Sequence, residues 1–553
     1  MQSSSSRSKQ APKQSSAPEG SRVHGPGRET GLASAAPSGS TGPALEAGSG
    51  APEEPRPRSR RPSLGALLQP RVSIDLGIQS PPLDIDGGED RISALPDDVL
   101  LAILERLDMC EAFRAGAFSR RWRNLPRRLS LLHLDVRQFG RDTSTVDLGA
   151  MSPAVETMLA FTGLLSSAVE AMQAVEAMQA FTGALLRSLS ASPPPVTLSL
   201  CFFPVTNLTS IGRAVEDVVT RGETKYVEFH IRTPYGRGRL VRHEFMSFSR
   251  ACPVAFRWLT MLTFDNLAFG DSDIPDLISA CGRLRHLTLS SCRLVEFYSP
   301  LKIDTPWSRL QKLFFIDFDC RWIQLIYVPR LTEVRCQSWR SENPRPVRFG
   351  QVPELRRVSL ISRAMPCHAP LALSECIPWT PDNLSNMHLD FVSGMIWIQM
   401  EHPKQLTARF RNLTNVELFG IFPKYDLSWT IFFLEAAPAL QNFRLFRERH
   451  LCTDYAIKTN VVWKPSKNFK HLNLKLLRMS GFEDEDKVTN YIRLVVKRTV
   501  WLKRIELHGE NPCKKCDAID PTSRRPDVDE ARRRQIKEKL THKSSSSVEI
   551  IIC

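Results

Sequence analysis

From Val196 onward apolar and polar residues alternate in short bursts, and one six-residue pattern returns: apolar-x-x-apolar-x-apolar. It stands at LTMLTF (259–264), LRHLTL (284–289), LQKLFF (310–315), LTEVRC (331–336) and LRRVSL (355–360). It returns at LSNMHL (384–389), LTNVEL (413–418), LQNFRL (440–445), LKLLRM (474–479) and LKRIEL (502–507). Successive starts lie 25, 26, 21, 24, 29, 29, 27, 34 and 28 residues apart. A single hexad carries no information, because leucine is common. Ten at near-regular spacing predict a stack of short strands whose alternate side chains enter a shared core. No unit can bury its apolar face alone, so each needs its neighbours. Pro306, Pro329, Pro353, Pro381 and Pro438 precede many of these strands and suit the turn into each.

This period is that of leucine-rich repeats. The asparagine usual in strict repeats is mostly absent, so the array is irregular. The predicted fold class is mixed α/β, a solenoid with a parallel sheet on its concave face. Outward positions on that face include His286, Thr288, Lys312, Glu333, Asn386, Asn415, Asn442, Arg504 and Glu506. The candidates to bind a target protein are Phe314, Arg335, His388, Glu417, Phe419, Arg444, Phe446 and Arg478. The aromatics among them, Phe314, Phe419 and Phe446, are the better anchors. The competing reading is an ordinary solvated sheet face.

Far ahead of the repeats stands LPDDVLLAILERLD, residues 95–108. Pro96 suits a first helical position, and Asp97 and Asp98 complement the positive end of the helix dipole. Val99, Leu100, Ile103, Leu104 and Leu107 recur at three- and four-residue spacing and predict one apolar face. CEAFRAGAF (110–118) and SRRWRNL (119–125) predict two more short helices, with Ser119 as N-cap and Trp122 against the first helix. Three short helices make a core too small to be secure alone, so the unit is expected to lean on a partner. The stretch DRISALPDDVLLAILERLDMCEAFRAGAFSRRWRNLP resembles an F-box, through Leu95-Pro96, the apolar set and the Ser119-Arg-Arg-Trp122 signature. The resemblance implies docking to a Skp-type adaptor, and through it to a cullin scaffold. The adaptor-binding candidates are Leu95, Pro96, Val99, Leu100, Ile103, Leu104, Leu107, Phe113, Phe118 and Trp122. The second helix departs from the family pattern, with Ala115, Gly116 and Ala117 where larger apolar residues are usual. Phe113 and Phe118 are placed to refill some of that volume.

Residues 1–89 are rich in Ser, Pro and Gly and are expected to be disordered, because they cannot bury enough apolar surface to offset ordering. The cluster PRPRSRRPSL within them reads as a solvated basic patch, or alternatively as a nuclear-import or basophilic-kinase site. The F-box is expected over 90–136. A helical linker is expected over 137–195, where AVETMLAFTG, AVEAMQ and AVEAMQAFTG are near copies of one another. The solenoid is expected over 196–510 and a tail over 511–553. WTIFFLEAAPALQNFRLF (429–446) and GFEDEDKVTNYIRLVVKRTVWLKRIELHG (481–509) resemble plant F-box/leucine-rich-repeat proteins, grass members in particular. Their FBD-like ending would fall at about 470–510 here. The terminal VEIIIC reads as a last strand or a frayed tail.

The formal charge of +15 raises the question of nucleic acid. The first ninety residues hold ten Lys/Arg and ten Asp/Glu, and the surplus is spread over the rest with no basic helix to concentrate it. No run of eighteen apolar residues predicts a membrane span, and the N-terminus lacks the apolar core of a secretory signal. Thirteen cysteines are then expected as reduced thiols, in nucleus or cytoplasm. Cys513 and Cys516 form a CxxC, but no second pair follows at zinc spacing, so no metal and no cofactor are expected. No nucleotide-binding loop, nucleophile elbow or HExxH is present, and no catalytic residue is assigned. These readings converge on a substrate-recognition subunit of a cullin-type ubiquitin ligase, with an unknown target protein and neither nucleic acid nor membrane as partner. The alternatives are a repeat module not coupled to a ligase and, last, a nucleic-acid binder.

Overall fold

The computed structural model describes residues 95–107, 115, 121–122, 125–139, 154–190, 194–233, 241–296, 298–339, 346–362, 370–377, 383–392, 394–448, 461, 463–509, 529–541 and 548–553. The side chains of the helix over 154–190 are described from Met172 onward. The expected disordered segment, Phe113, Phe118, Ser119 and the CxxC lie outside these residues.

Among the described residues, fourteen strands form one sheet in chain order, each parallel to the next. Parallel neighbours need a return segment between them. Helices supply it early in the array, as at Leu208–Thr220, Arg242–Ala251 and Asp273–Ala280. Farther on, three of the return paths carry short strands, Leu301–Asp304, Ile323–Tyr327 and Val347–Gln351, which pair into a second parallel sheet.

Every one of the ten hexads lies in or at the mouth of a strand of the main sheet. All three apolar positions of each, from Leu259, Leu262 and Phe264 to Leu502, Ile505 and Leu507, are buried. The pattern's first residue fills the turn into the strand and the other two point inward from it. The strands end in residues with left-handed backbone, Asn266 (φ 63°), Ser291 (φ 49°), Asp317 (φ 54°), Ser338 (φ 55°) and Gly481 (φ 69°), a conformation that Gly, Asn and Asp take most readily. The amides of Asn266, Ser291, Asp317 and Ser338 each donate to the last carbonyl of the next strand, at 2.7–2.9 Å. The turn is therefore conserved in geometry while its residue varies.

The sheet reaches beyond the expected 196–510 span at both ends. Leu131–Asp135 pairs with Thr197–Phe202, and Glu549–Ile552 pairs with Arg504–His508. The helix Ala154–Ser190 joins the first two strands, and Met178, Phe181, Leu185 and Leu189 are buried in the repeat core. The duplicated segment thus ends as the return helix of the first repeat, not merely as a connector.

Ahead of the sheet, Leu100, Leu104, Ala115, Trp122 and Leu125 form a separate small core, and Leu129 packs against both. The helix Asp97–Leu104 begins one residue later than its proline suggests, because Pro96 occupies the N-cap in extended backbone. Among the described residues no helix is long and apolar enough to cross a membrane.

Candidate functional site

The helix Asp97–Leu104 divides its apolar residues between two faces. Leu100 and Leu104 enter the small core, with Trp122 behind them. Val99 and Leu107 are 40% and 39% exposed, and Ile103 between them is half-buried. Residues 99 and 103 are spaced by four and share one stripe along the helix, and Leu107 follows in the turn beyond its C-cap, Glu105. Leu95 and Leu101 are half-buried and Pro96 is exposed. The single apolar face expected from sequence is therefore divided: Leu100 and Leu104 point inward, Val99 and Leu107 are exposed, and Ile103 lies at the edge, packed against the small core. Asp97 fastens the helix mouth: Arg121 and Arg128 each reach its carboxylate at 2.7 Å. The hydrogen bond from Arg121 holds that carboxyl below its ordinary range.

The second surface is the exposed face of the main sheet. Register places Phe314, Arg335, Ser359, His388, Glu417, Arg444, Arg478 and Glu506 on one continuous cross-strand row. Six of the eight target-binding candidates share that row. Phe419 and Phe446 lie just beyond it toward the strands' C-terminal ends, and all eight are half-buried. Ser359, which the pattern alone did not single out, fills the gap between Arg335 and His388 and is covered by its neighbours.

Aromatic rings gather at two places on this face. Phe314 meets the His286 ring edge-on at 4.7 Å and carries the Arg335 guanidinium at 5.3 Å. Phe419 stacks on Phe446 at 3.7 Å with the planes 11° apart, and the His388 ring lies 4.6 Å from Phe419. The strand Asn415–Ile421 bulges beside this stack, where Leu418 and Ile421 are out of step with their partners and Gly420 takes φ 62°. The charges around the stack are largely paired. Glu417 accepts from Arg444 at 2.8 Å and faces Nδ1 of His388 at 3.4 Å. The His388 contact, with Arg444 behind it, keeps the Glu417 carboxyl below its ordinary range. Arg478 Nε donates to Glu506 at 2.6 Å. Ion pairs of this exposure stabilise little, but they hold the side chains around the aromatic ring faces in place.

One trio has the residue types of a nucleophilic site. Asp135, Cys201 and His230 stand side by side on three adjacent strands. Burial pushes the Cys201 thiol up to about 12 and the His230 imidazole down to about 4. At neutral pH the thiol keeps its proton, and only a thiolate attacks. Asp135 is engaged by Arg137. Among the described residues no group of His, Cys, Asp and Glu has the arrangement of a metal site.

Comparison with known proteins finds a domain match in each of the two regions. The F-box domain model matches residues 92–134. A protein of Arabidopsis thaliana, At1g67390, named as an F-box protein, is 44% identical over 52 residues, 9% of this chain and 11% of that protein. The chain thus aligns with about a tenth of that relative's length. The model of the At1g61320/AtMIF1 leucine-rich-repeat domain matches residues 241–551, more than half of the chain and eleven of the fourteen strands described in the sheet. With an F-box domain ahead of that array, the chain belongs to the At1g61320/AtMIF1 leucine-rich-repeat family.

Proposed function

We propose that this protein is the substrate-recognition subunit of a cullin-type (SCF) ubiquitin ligase. F-box domains typically bind Skp1-type adaptors, and an F-box joined to leucine-rich repeats is typical of non-catalytic adaptor proteins. In this reading Val99, Ile103 and Leu107, with Leu95 and Pro96, dock the adaptor, while Leu100, Leu104 and Trp122 support them from within. Phe113 and Phe118 are the further residues we assign to the docking unit. The repeat face, with Phe314, His388, Phe419 and Phe446 as anchors and Arg335, Glu417, Arg444 and Arg478 around them, holds a target protein. Ubiquitin transfer is left to other subunits, and the chain acts by raising the target's effective concentration.

The observation that carries this reading is the separation of an apolar helix stripe from an aromatic-bearing sheet face, each in its own core. The helix Asp486–Arg498 and the strand Arg504–His508 follow Gly481-Phe482 and an acidic run, which supports an FBD-like ending of the grass type. We place the protein in nucleus or cytoplasm, in contact with neither nucleic acid nor membrane. Affinity capture with the ligase blocked tests the whole reading. Full-length protein should retain both adaptor and target, and protein lacking residues 90–128, which leaves the first strand Leu131–Asp135 in place, should retain the target alone. Loss of neither on deletion would overturn it. Retention of the target with no adaptor on the full-length chain would favour a repeat module uncoupled from a ligase.

A further inference from the structure

Four cations that no ion pair accounts for gather at the N-terminal rim of the sheet. Lys225, Arg283, Arg285 and Arg309 line a depression of about 170 Å³ together with Tyr226 and Thr260. Among the described residues no carboxylate lines it. Among the described residues, none of these four side chains has a hydrogen-bond or ion-pair partner within the chain. Elsewhere on the sheet the exposed cations are mostly matched, as Lys312 and Arg357 are by Glu333, and Arg330 by Glu354 at 2.8 Å. Like charges held together without a counter-charge repel one another, so the arrangement is stabilised by an anion that enters it.

The depression is built by the fold. Its residues come from the mouths of four adjacent strands, Tyr226–Arg232, Leu259–Asp265, His286–Ser290 and Lys312–Ile316. Thr260 is an extra residue in its strand: Val227 pairs with Leu259 and Glu228 with Met261, so Thr260 bulges between them. Its hydroxyl donates to the Val227 carbonyl at 3.0 Å, which fixes the bulge. The Arg283 guanidinium carbon lies over the Trp258 ring, 3.4 Å from its centroid, which restrains the fork before any ligand arrives.

We propose that this depression is a binding site for a phosphate monoester. Two negative charges match a group of four cations better than the single charge of a carboxylate. Planar guanidinium forks suit the oxygens of a phosphate, and the Tyr226 hydroxyl adds a donor. Three strand spacings of ~4.8 Å make the site about 14 Å across, and the next rim cation, Arg330, is already occupied by Glu354. The site is therefore compact and does not continue as the charged track that a nucleic-acid backbone needs. The phosphate comes either from a small organic phosphate or from a phosphorylated side chain of a protein. The inference is independent of the ligase reading.

Calorimetric titration of the full-length protein at physiological salt, in a phosphate-free buffer, tests it. The probes are inorganic phosphate, pyrophosphate, a neutral hexapeptide with one phosphoserine, the same peptide unphosphorylated, and single-stranded oligonucleotides of increasing length. Saturable binding of the phosphate-bearing probes is expected, with none for the unphosphorylated peptide. Pyrophosphate as the tightest probe identifies a small phosphate ligand, and the phosphopeptide as the tightest identifies a phosphorylated protein. Arg285→Gln and Arg309→Gln should each weaken the tightest probe by about tenfold, with an unchanged thermal melt. Lys503→Gln, at the same rim but far along the sheet, should leave binding unchanged. The proposal is overturned if no phosphate probe binds saturably, or if the Arg285/Arg309 double variant binds as wild type does. Affinity that climbs with oligonucleotide length and exceeds that of every phosphate probe would also overturn it.

Discussion

The helical unit and the repeat sheet bury apolar residues in opposite ways. In the sheet, each strand covers its neighbours, and all the inward hexad positions are enclosed by the chain itself. In the helical unit the buried core consists of Leu100, Leu104, Ala115, Trp122 and Leu125 among the described residues, and Val99 and Leu107 are left in solvent. A structure that closes its own core needs no partner for stability and can use its surface for recognition. A structure with apolar residues on both sides of one helix is complete only when something covers the outer side. The contrast implies that substitutions inside the sheet act on stability, whereas substitutions at Val99 and Leu107 act on binding.

Leu418 is fully buried between strands in the middle of the array, so Leu418→Ala should destabilise the repeats by about 2–5 kcal/mol in a denaturant melt. A loss below about 1 kcal/mol would place this leucine outside the shared core. Gly481 combines left-handed backbone with a close approach, since a Cβ there would meet the Arg447 carbonyl oxygen at 2.1 Å. Gly481→Ala should therefore cost roughly 1–3 kcal/mol in the same melt. Glu417→Ala, one residue from Leu418 but outward, should cost only about 0.5–1 kcal/mol by removing the contacts to His388 and Arg444. Equal losses for Leu418→Ala and Glu417→Ala would erase the inward and outward assignment.

The smallest effect expected is one of pH. His230 and His471 both titrate below the ordinary 6.5, chiefly because burial disfavours their charged forms. His471 also accepts the amides of Asn473 and Leu474 on Nδ1 and contacts the Ala437 carbonyl through Nε2, an arrangement that requires the neutral ring. A depressed folded value means that the unfolded chain takes up protons first. The stabilising contribution is whole above pH 6.5 and is lost as pH falls through the folded values, near 4 for His230. Melts from pH 7 to pH 4 should show this decline, and His471→Gln should flatten part of it. Stability that rises over that interval would contradict the burial argument.

Much of this was legible in the chain. The hexads declare the strands because inward residues must be apolar at fixed spacing whatever else varies. The first strands were harder to see. LSLLHL (129–134) fits the pattern in full, but the long helix Ala154–Ser190 separates it from the next strand. In the strands Thr197–Phe202 and Tyr226–Arg232, proline and threonine replace the leading leucine, as Pro195 and Thr224. The helix stripe was visible as an apolar set, yet sequence spacing could not say that Leu100 and Leu104 face Trp122 while Val99 and Leu107 face outward. That division depends on where Trp122 and Leu125 return in space. The cations of the rim depression were also invisible, because Lys225, Arg283, Arg285 and Arg309 are spread over 85 positions and meet only through strand register.

The division of labour between the two regions rests most directly on Leu107. It is 39% exposed, so a charge there leaves the small core intact and meets a cost only if a partner covers it. The decisive measurement is the affinity of purified full-length Leu107→Asp for a recombinant Skp-type adaptor, beside its thermal melt. The expected result is loss of adaptor binding with a melt that matches wild type. Wild-type affinity in this variant would contradict the account.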